Sequence, residues 1–98
     1  MVRRAEFDTD LAQEALRYFL DKGYSSEQAS GIVSNLIAES GLDHQIKGDS
    51  GKAHGIAQWH PDRRGIFERV FGKPFSQSSF KDQLDFVDWE LNNTEKRA

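Results

Sequence analysis

Glu39 falls in the last turn of a helix that stops at Gly41, where the negative end of the helix dipole disfavours an anion. At helical spacing it lies beside Ile32, at the margin of an apolar stripe and not on the polar back. Partial burial and the dipole would together favour the protonated carboxyl that a general acid requires. Two more carboxylates follow, Asp43 and Asp49. Paired carboxyl groups on either side of a scissile bond are the usual means of cutting a glycosidic link. Asp49, between Gly48 and Ser50, is the candidate for the second catalytic group, projected into a cleft by a turn. Its other reading is a turn-former bonding its own backbone. Asp43, just past the helix stop, reads as a residue that ties down the chain end.

Gly55-Ile56-Ala57-Gln58-Trp59 is too apolar for a surface loop and too short for a helix. Gly55 implies close approach of the backbone to a ligand or to a neighbouring element. The Gln58 amide has donors and acceptors suited to sugar hydroxyls. Trp59 either stacks on a sugar ring or belongs to the core. Two look-alikes fail. Gly48-Asp49-Ser50-Gly51 imitates a serine-protease nucleophile motif, but the chain lacks the β-rich pattern and the correctly ordered His and Asp upstream. His44, His54 and His60 with Asp49 have no helical i, i+4 spacing, so no metal site is expected. No cofactor motif is present either.

Four helices must position these groups. Asp8 to Lys22 carries Leu11, Ala15, Tyr18 and Phe19 at helical spacing, with Asp8 or Thr9 as cap and Gly23 as stop. Ser25-Ser26-Glu27-Gln28 is a capping box that opens a second helix, with Ala29, Ile32, Val33, Leu36 and Ile37 on one face. Residues 43–58 form a polar loop or short β-hairpin lining a cleft. His60-Pro61 starts a third helix with the apolar stripe Ile66, Phe67, Val70 and Phe71. Gln77-Ser78-Ser79 caps a fourth, carrying Phe80, Leu84, Val87 and Leu91 with Phe86 and Trp89 broadening the face. The chain reads as one domain over residues 1–98, with a frayed charged tail at 93–98.

Composition narrows the function. The chain has 98 residues, with 37% hydrophobic content and two prolines, which is ordinary for a globular domain. Thirteen basic against sixteen acidic residues give −3 at pH 7, which argues against nucleic acid as a partner. Arg63-Arg64, the one basic pair in the body of the chain, reads as a solvated helix face. Absence of cysteine removes disulfides and thiol chemistry. No apolar run approaches the roughly 20 residues of a membrane span, and no signal peptide is visible behind Met1.

Together these residues resemble a known family. Glu39-Ser40-Gly41 followed by Gly55-Ile56-Ala57-Gln58 is similar to the E-S…G-[IL]-x-Q signature of the lysozyme-like superfamily. The longer run, Gly31 to Leu42, Gly55 to Arg64, then Gln83 to Phe86 and Trp89 to Leu91, looks like the phage tail lysozyme family of peptidoglycan-degrading domains. The resemblance implies a mainly α, α+β lysozyme-like fold and cleavage of the β-1,4 bond between N-acetylmuramic acid and N-acetylglucosamine. It makes Glu39 the catalytic acid and puts Gln58 and the backbone of Gly55 to Ala57 on the sugar-binding wall, with Ser40 and Trp59 as further substrate-binding candidates. The expected partner is the peptidoglycan glycan strand, reached as part of a virion or another delivery assembly. An acidic domain would not be steered electrostatically to an anionic wall. Two departures bear on the mechanism. The aspartate that hen-egg-type enzymes carry before the G-I-x-Q glycine is Ala53 here. The second carboxylate is then Asp49, or there is none, as in lytic transglycosylases. The chain also ends sooner than is usual for the family, so one cleft wall would lie outside it or come from a second copy. A wall-binding module without turnover is the competing reading.

Overall fold

The computed structural model describes residues 8–93; the expected frayed tail beyond Asn93 lies outside them. Helix α1, Thr9–Asp21, begins at Asp8, whose carboxylate accepts hydrogen bonds from the amides of Asp10 (2.9 Å) and Leu11 (3.3 Å). Helix α2, Ser26–Ser40, opens with the complete capping box. Gln28 N–H donates to Ser25 Oγ, and Ser25 N–H donates to Gln28 Oε1. Gly41 stops α2 in the left-handed conformation (φ 65°) that costs a glycine little.

The polar stretch is a hairpin. Strand β1, Lys47–Gly48, runs antiparallel to β2, Ala53–His54, with Lys47 opposite His54 and Gly48 opposite Ala53. Asp49 and Ser50 both have positive φ (52° and 57°), and Gly51 N–H donates to Gly48 O at 2.9 Å. That is the pattern of a type I′ turn, whose twist suits a hairpin. Helix α3, Pro61–Phe71, has proline in its first turn and ends at left-handed Gly72. A short 3-10 turn, Phe75–Gln77, follows, which the Lys73-Pro74 turn signal had not disclosed. Helix α4, Phe80–Asn93, closes the described chain. Ser79 Oγ accepts from the Asp82 amide (3.0 Å) and Asp82 Oδ2 from the Ser79 amide (2.9 Å), so Ser79 caps α4 reciprocally.

The core is aromatic. Trp59, Phe67, Phe75 and Phe86 meet at ring-centroid distances of 5.0–5.5 Å, mostly edge to face, an arrangement that adds to simple area burial. Phe19, Ala29, Val33, Leu36 and Leu84 extend this cluster to α1 and α2. The expected stripes hold, with one correction: Val70 of α3 is exposed (42%). The α3 face narrows there because Phe67 and Phe71 stack on each other and take the inward positions. Helix α1 and the turn that follows it are fastened to α4 by two phenols. Tyr18 donates to Asp85 (2.5 Å) and Tyr24 to Asp88 (2.8 Å). Among the described residues no helix is long and apolar enough to cross a membrane.

Candidate functional site

The carboxylates that could do chemistry are on the surface. Glu39 is exposed in the last turn of α2, and that turn holds no basic residue. The partial burial read from its position beside Ile32 is therefore corrected. Ile32 is half-buried at the margin of the stripe, whereas Glu39 is exposed. Asp49 is also exposed, at the hairpin tip, and its Oδ2 pairs with His60 Nε2 at 3.1 Å. Asp43 does what its position suggested. Its carboxylate accepts from the Gln45 amide (2.9 Å) and its carbonyl from the Ile46 amide (3.2 Å), turning the chain from α2 into β1.

The residues expected to bind the sugar divide. Ser40 is buried (7% exposed), and its hydroxyl faces inward. It donates to Leu36 O (2.9 Å) and accepts from the Leu42 amide (3.0 Å). Ser40 closes the helix, and its hydroxyl has both directions committed. Trp59 is fully buried in the aromatic core, with its indole N–H donated to Glu90 Oε1 (2.9 Å). No ring face is left for a sugar to stack on, so of its two readings the core is the one adopted.

Gly55 answers its own alternative in favour of a neighbouring element. With φ at 84°, a β-carbon there would come within 2.6 Å of Gln83 Oε1 and 2.9 Å of Phe75 Cζ. Gln58 is half-buried with φ at 53°, and its Nε2 donates to Gly55 O at 2.9 Å. Its Oε1 lies over Gly48, where an added β-carbon would be 2.3 Å away. Gln58 thus bridges the hairpin and the Gly55–Trp59 knot.

Three further residues build this region without having been singled out as site residues. Gln83 is 1% exposed. Its Oε1 accepts from the Ile56 amide (2.9 Å), and its Nε2 donates to His44 O (3.0 Å) and Ser78 Oγ (2.9 Å). One amide therefore joins the loop after α2, the knot and the turn before α4. Arg63 grips Glu90 through Nε (2.9 Å) and Nη2 (2.5 Å). Arg64 Nη1 donates to Trp59 O (2.6 Å) and Lys52 O (2.7 Å). The solvated-face reading of Arg63-Arg64 is corrected accordingly, since both guanidinium groups hold the knot in place. The glutamine and arginines were visible in the sequence, but nothing in their spacing there signals convergence on one loop.

Beside the hairpin lies an open depression of about 320 Å³. His44, Lys47, His54, Ser76 and Ser78 form its walls, with Phe75 and Gln83 beneath.

With this geometry in hand, the comparisons with known proteins identify the chain. Residues 10–98 match the family described as phage tail lysozyme. The chain belongs to the phage tail lysozyme family. That membership suggests a lysozyme-like, peptidoglycan-degrading function, a glycoside hydrolase or related activity, and association with virions. Searches of curated proteins and of solved structures gave no match.

Proposed function

We propose that the protein is a peptidoglycan glycosidase cutting the β-1,4 bond between N-acetylmuramic acid and N-acetylglucosamine, with Glu39 as general acid. The observation that carries this reading is a solvent-facing Glu39 at the α2 terminus, inside a chain that matches the family from residue 10 onward. In the reaction Glu39 gives its proton to the glycosidic oxygen as the C1–O bond breaks. Water then adds to C1 and its proton returns to the Glu39 carboxylate. Asp49, whose exposed carboxylate pairs with His60, is the residue proposed to stabilise or attack the cationic sugar carbon. Gln58 has a second amide hydrogen and Oε1 to offer a sugar hydroxyl beyond its bond to Gly55. The glycan strand is the substrate, and a tail or other delivery assembly is the proposed carrier.

A second reading is favoured by the pairing of Asp49 with His60 and by Ala53 at the position where hen-egg-type enzymes carry aspartate. In that reading Glu39 works alone. It protonates the leaving oxygen, then as carboxylate takes the proton of the muramic acid C6 hydroxyl. That oxygen closes on C1 and gives an anhydro sugar.

Mass spectrometry of soluble products from purified sacculi distinguishes the two, with wild type and Glu39→Gln side by side. Reducing muramic ends that fall about 100-fold or more in the variant are the expected result, the scale a general acid supplies. Anhydro ends would establish the second reading. No product from wild type while sacculi still bind it would overturn both and make the domain a wall-binding module.

A further inference from the structure

The depression beside the hairpin has a charge character unlike the rest of the molecule. The chain carries −3 overall, yet no carboxylate is among the residues lining this hollow, and three of them, His44, Lys47 and His54, are basic. The hairpin register puts Lys47 directly opposite His54. Directly opposed residues of an antiparallel pair share one face, so Lys47 and His54 stand side by side at the hollow. Among the described residues no ion pair or side-chain hydrogen bond reaches Lys47. His54 donates Nε2–H to Gly51 O at 2.9 Å, which fixes its ring as one wall of the hollow. The hollow is also firmly built. Gln83 fixes its floor through bonds to His44 O and Ser78 Oγ, and Phe75, 5% exposed, supplies an apolar patch beneath.

An anion seated in the hollow above this rigid floor pairs with the Lys47 ammonium, while apolar atoms attached to the anion rest on Phe75. A bare phosphate makes no use of the apolar patch. A short peptide ending in a carboxylate uses both. The hollow opens next to β1, in the segment that continues directly from the helix end bearing Glu39.

We infer that the hollow between His44, Lys47 and His54 is a subsite for a carboxylate of the peptide stem attached to the muramic acid of the glycan. This rests on the glycosidase reading above and adds to it a preference for glycan that still carries its peptides.

The test uses the full chain with Glu39→Gln, so that binding is read without turnover. NMR titration with a soluble N-acetylmuramoyl dipeptide bearing free carboxylates is expected to shift the His44, Lys47, His54 and Ser78 signals. Amidation of those carboxylates, or Lys47→Glu in the protein, should each weaken binding about tenfold, the scale of one charge-assisted contact. Lys47 is exposed, so the dispersion of the remaining spectrum serves as the folding control. Equal affinity for the free and amidated compounds would overturn the inference, as would shifts confined to other surfaces. Glycerol phosphate binding as tightly as the dipeptide would overturn it in favour of a phosphate-bearing polymer. The glycosidase reading is judged separately: wild type cleaving stem-free glycan while the hollow ignores the dipeptide would sink this inference alone.

Discussion

From Glu39 to Asp49 the chain turns its charged groups outward, and Glu39, Asp43, Lys47 and Asp49 are all exposed. From Ala53 to Trp59 the same stretch turns inward. Gly55 is buried, and Ile56 and Trp59 have no exposed surface. The first half is held mainly by local bonds, through a helix stop, an Asx-type turn at Asp43 and a type I′ turn, with Gln83 reaching it at His44 O. The second half is held by distant side chains, Gln83, Arg63, Arg64 and Glu90. A residue in the first half can therefore be altered at little cost to the fold, whereas one in the second half cannot. The family signature spans both halves: the outward one carries the exposed carboxylates, and the inward one keeps Gln58 half-buried at its edge.

The sharpest way to break this contrast is Trp59→Ala. It removes the centre of the aromatic cluster and leaves Glu90 without its indole donor. A loss of about 3–5 kcal/mol is expected from the cavity alone, measured by urea unfolding with Trp89 as the remaining fluorophore. Retained stability with lost glycan binding would instead make Trp59 a sugar-binding residue.

The α1–α4 contact gives an intermediate effect that depends on pH. Burial, and then the hydrogen bond to Asp88, push the Tyr24 phenol up to about 12. Burial, and then Asp85, push Tyr18 further in the same direction. Because both folded-state values are raised, the stabilisation is fully present below the ordinary phenol value near 10. It is lost as pH rises from there through about 12. These are the only two tyrosines, so phenolate absorbance should stay silent through pH 10 and then rise together with unfolding. Ionisation near pH 10 in the folded protein would break the picture of a support tied by half-buried phenols.

The smallest effect belongs to Glu39. An exposed anion in a last helical turn without a basic neighbour opposes the helix dipole. Glu39→Gln is therefore expected to raise stability slightly, by about 0.5 kcal/mol, in the same variant that loses cleavage. Thermal unfolding of the two proteins checks this. A fall of more than about 1 kcal/mol would mean that Glu39 supports the fold after all.

The helices were legible because their signals are local. Asp8, the Ser25–Gln28 box, Gly41, Pro61 and Gly72 each act on amides a few residues away. The hairpin was legible as a turn for the same reason. The site was legible at Glu39 and Asp49 as residue types, and less so in how each is held. Trp59 has the same chemistry whether it faces a sugar or a phenylalanine, and only packing separates the two. Ser40 reads as a polar group beside a catalytic acid, yet its hydroxyl is used up by Leu36 and Leu42. The bracing roles of Gln83 and Arg64 were hidden because their partners, Ile56 and Lys52 among them, come close only when the chain folds back.

Helix α4 holds the Gly55–Trp59 knot at two points two turns apart, Gln83 on the Ile56 amide and Glu90 on the Trp59 indole. These contacts close loops of 27 and 31 residues, whereas α1 and α2 need only short-range contacts to form. Closing such loops costs entropy that is recovered only once α4 has docked. During synthesis the helix bearing Glu39 can therefore take shape early, while the knot must wait until α4 has been made.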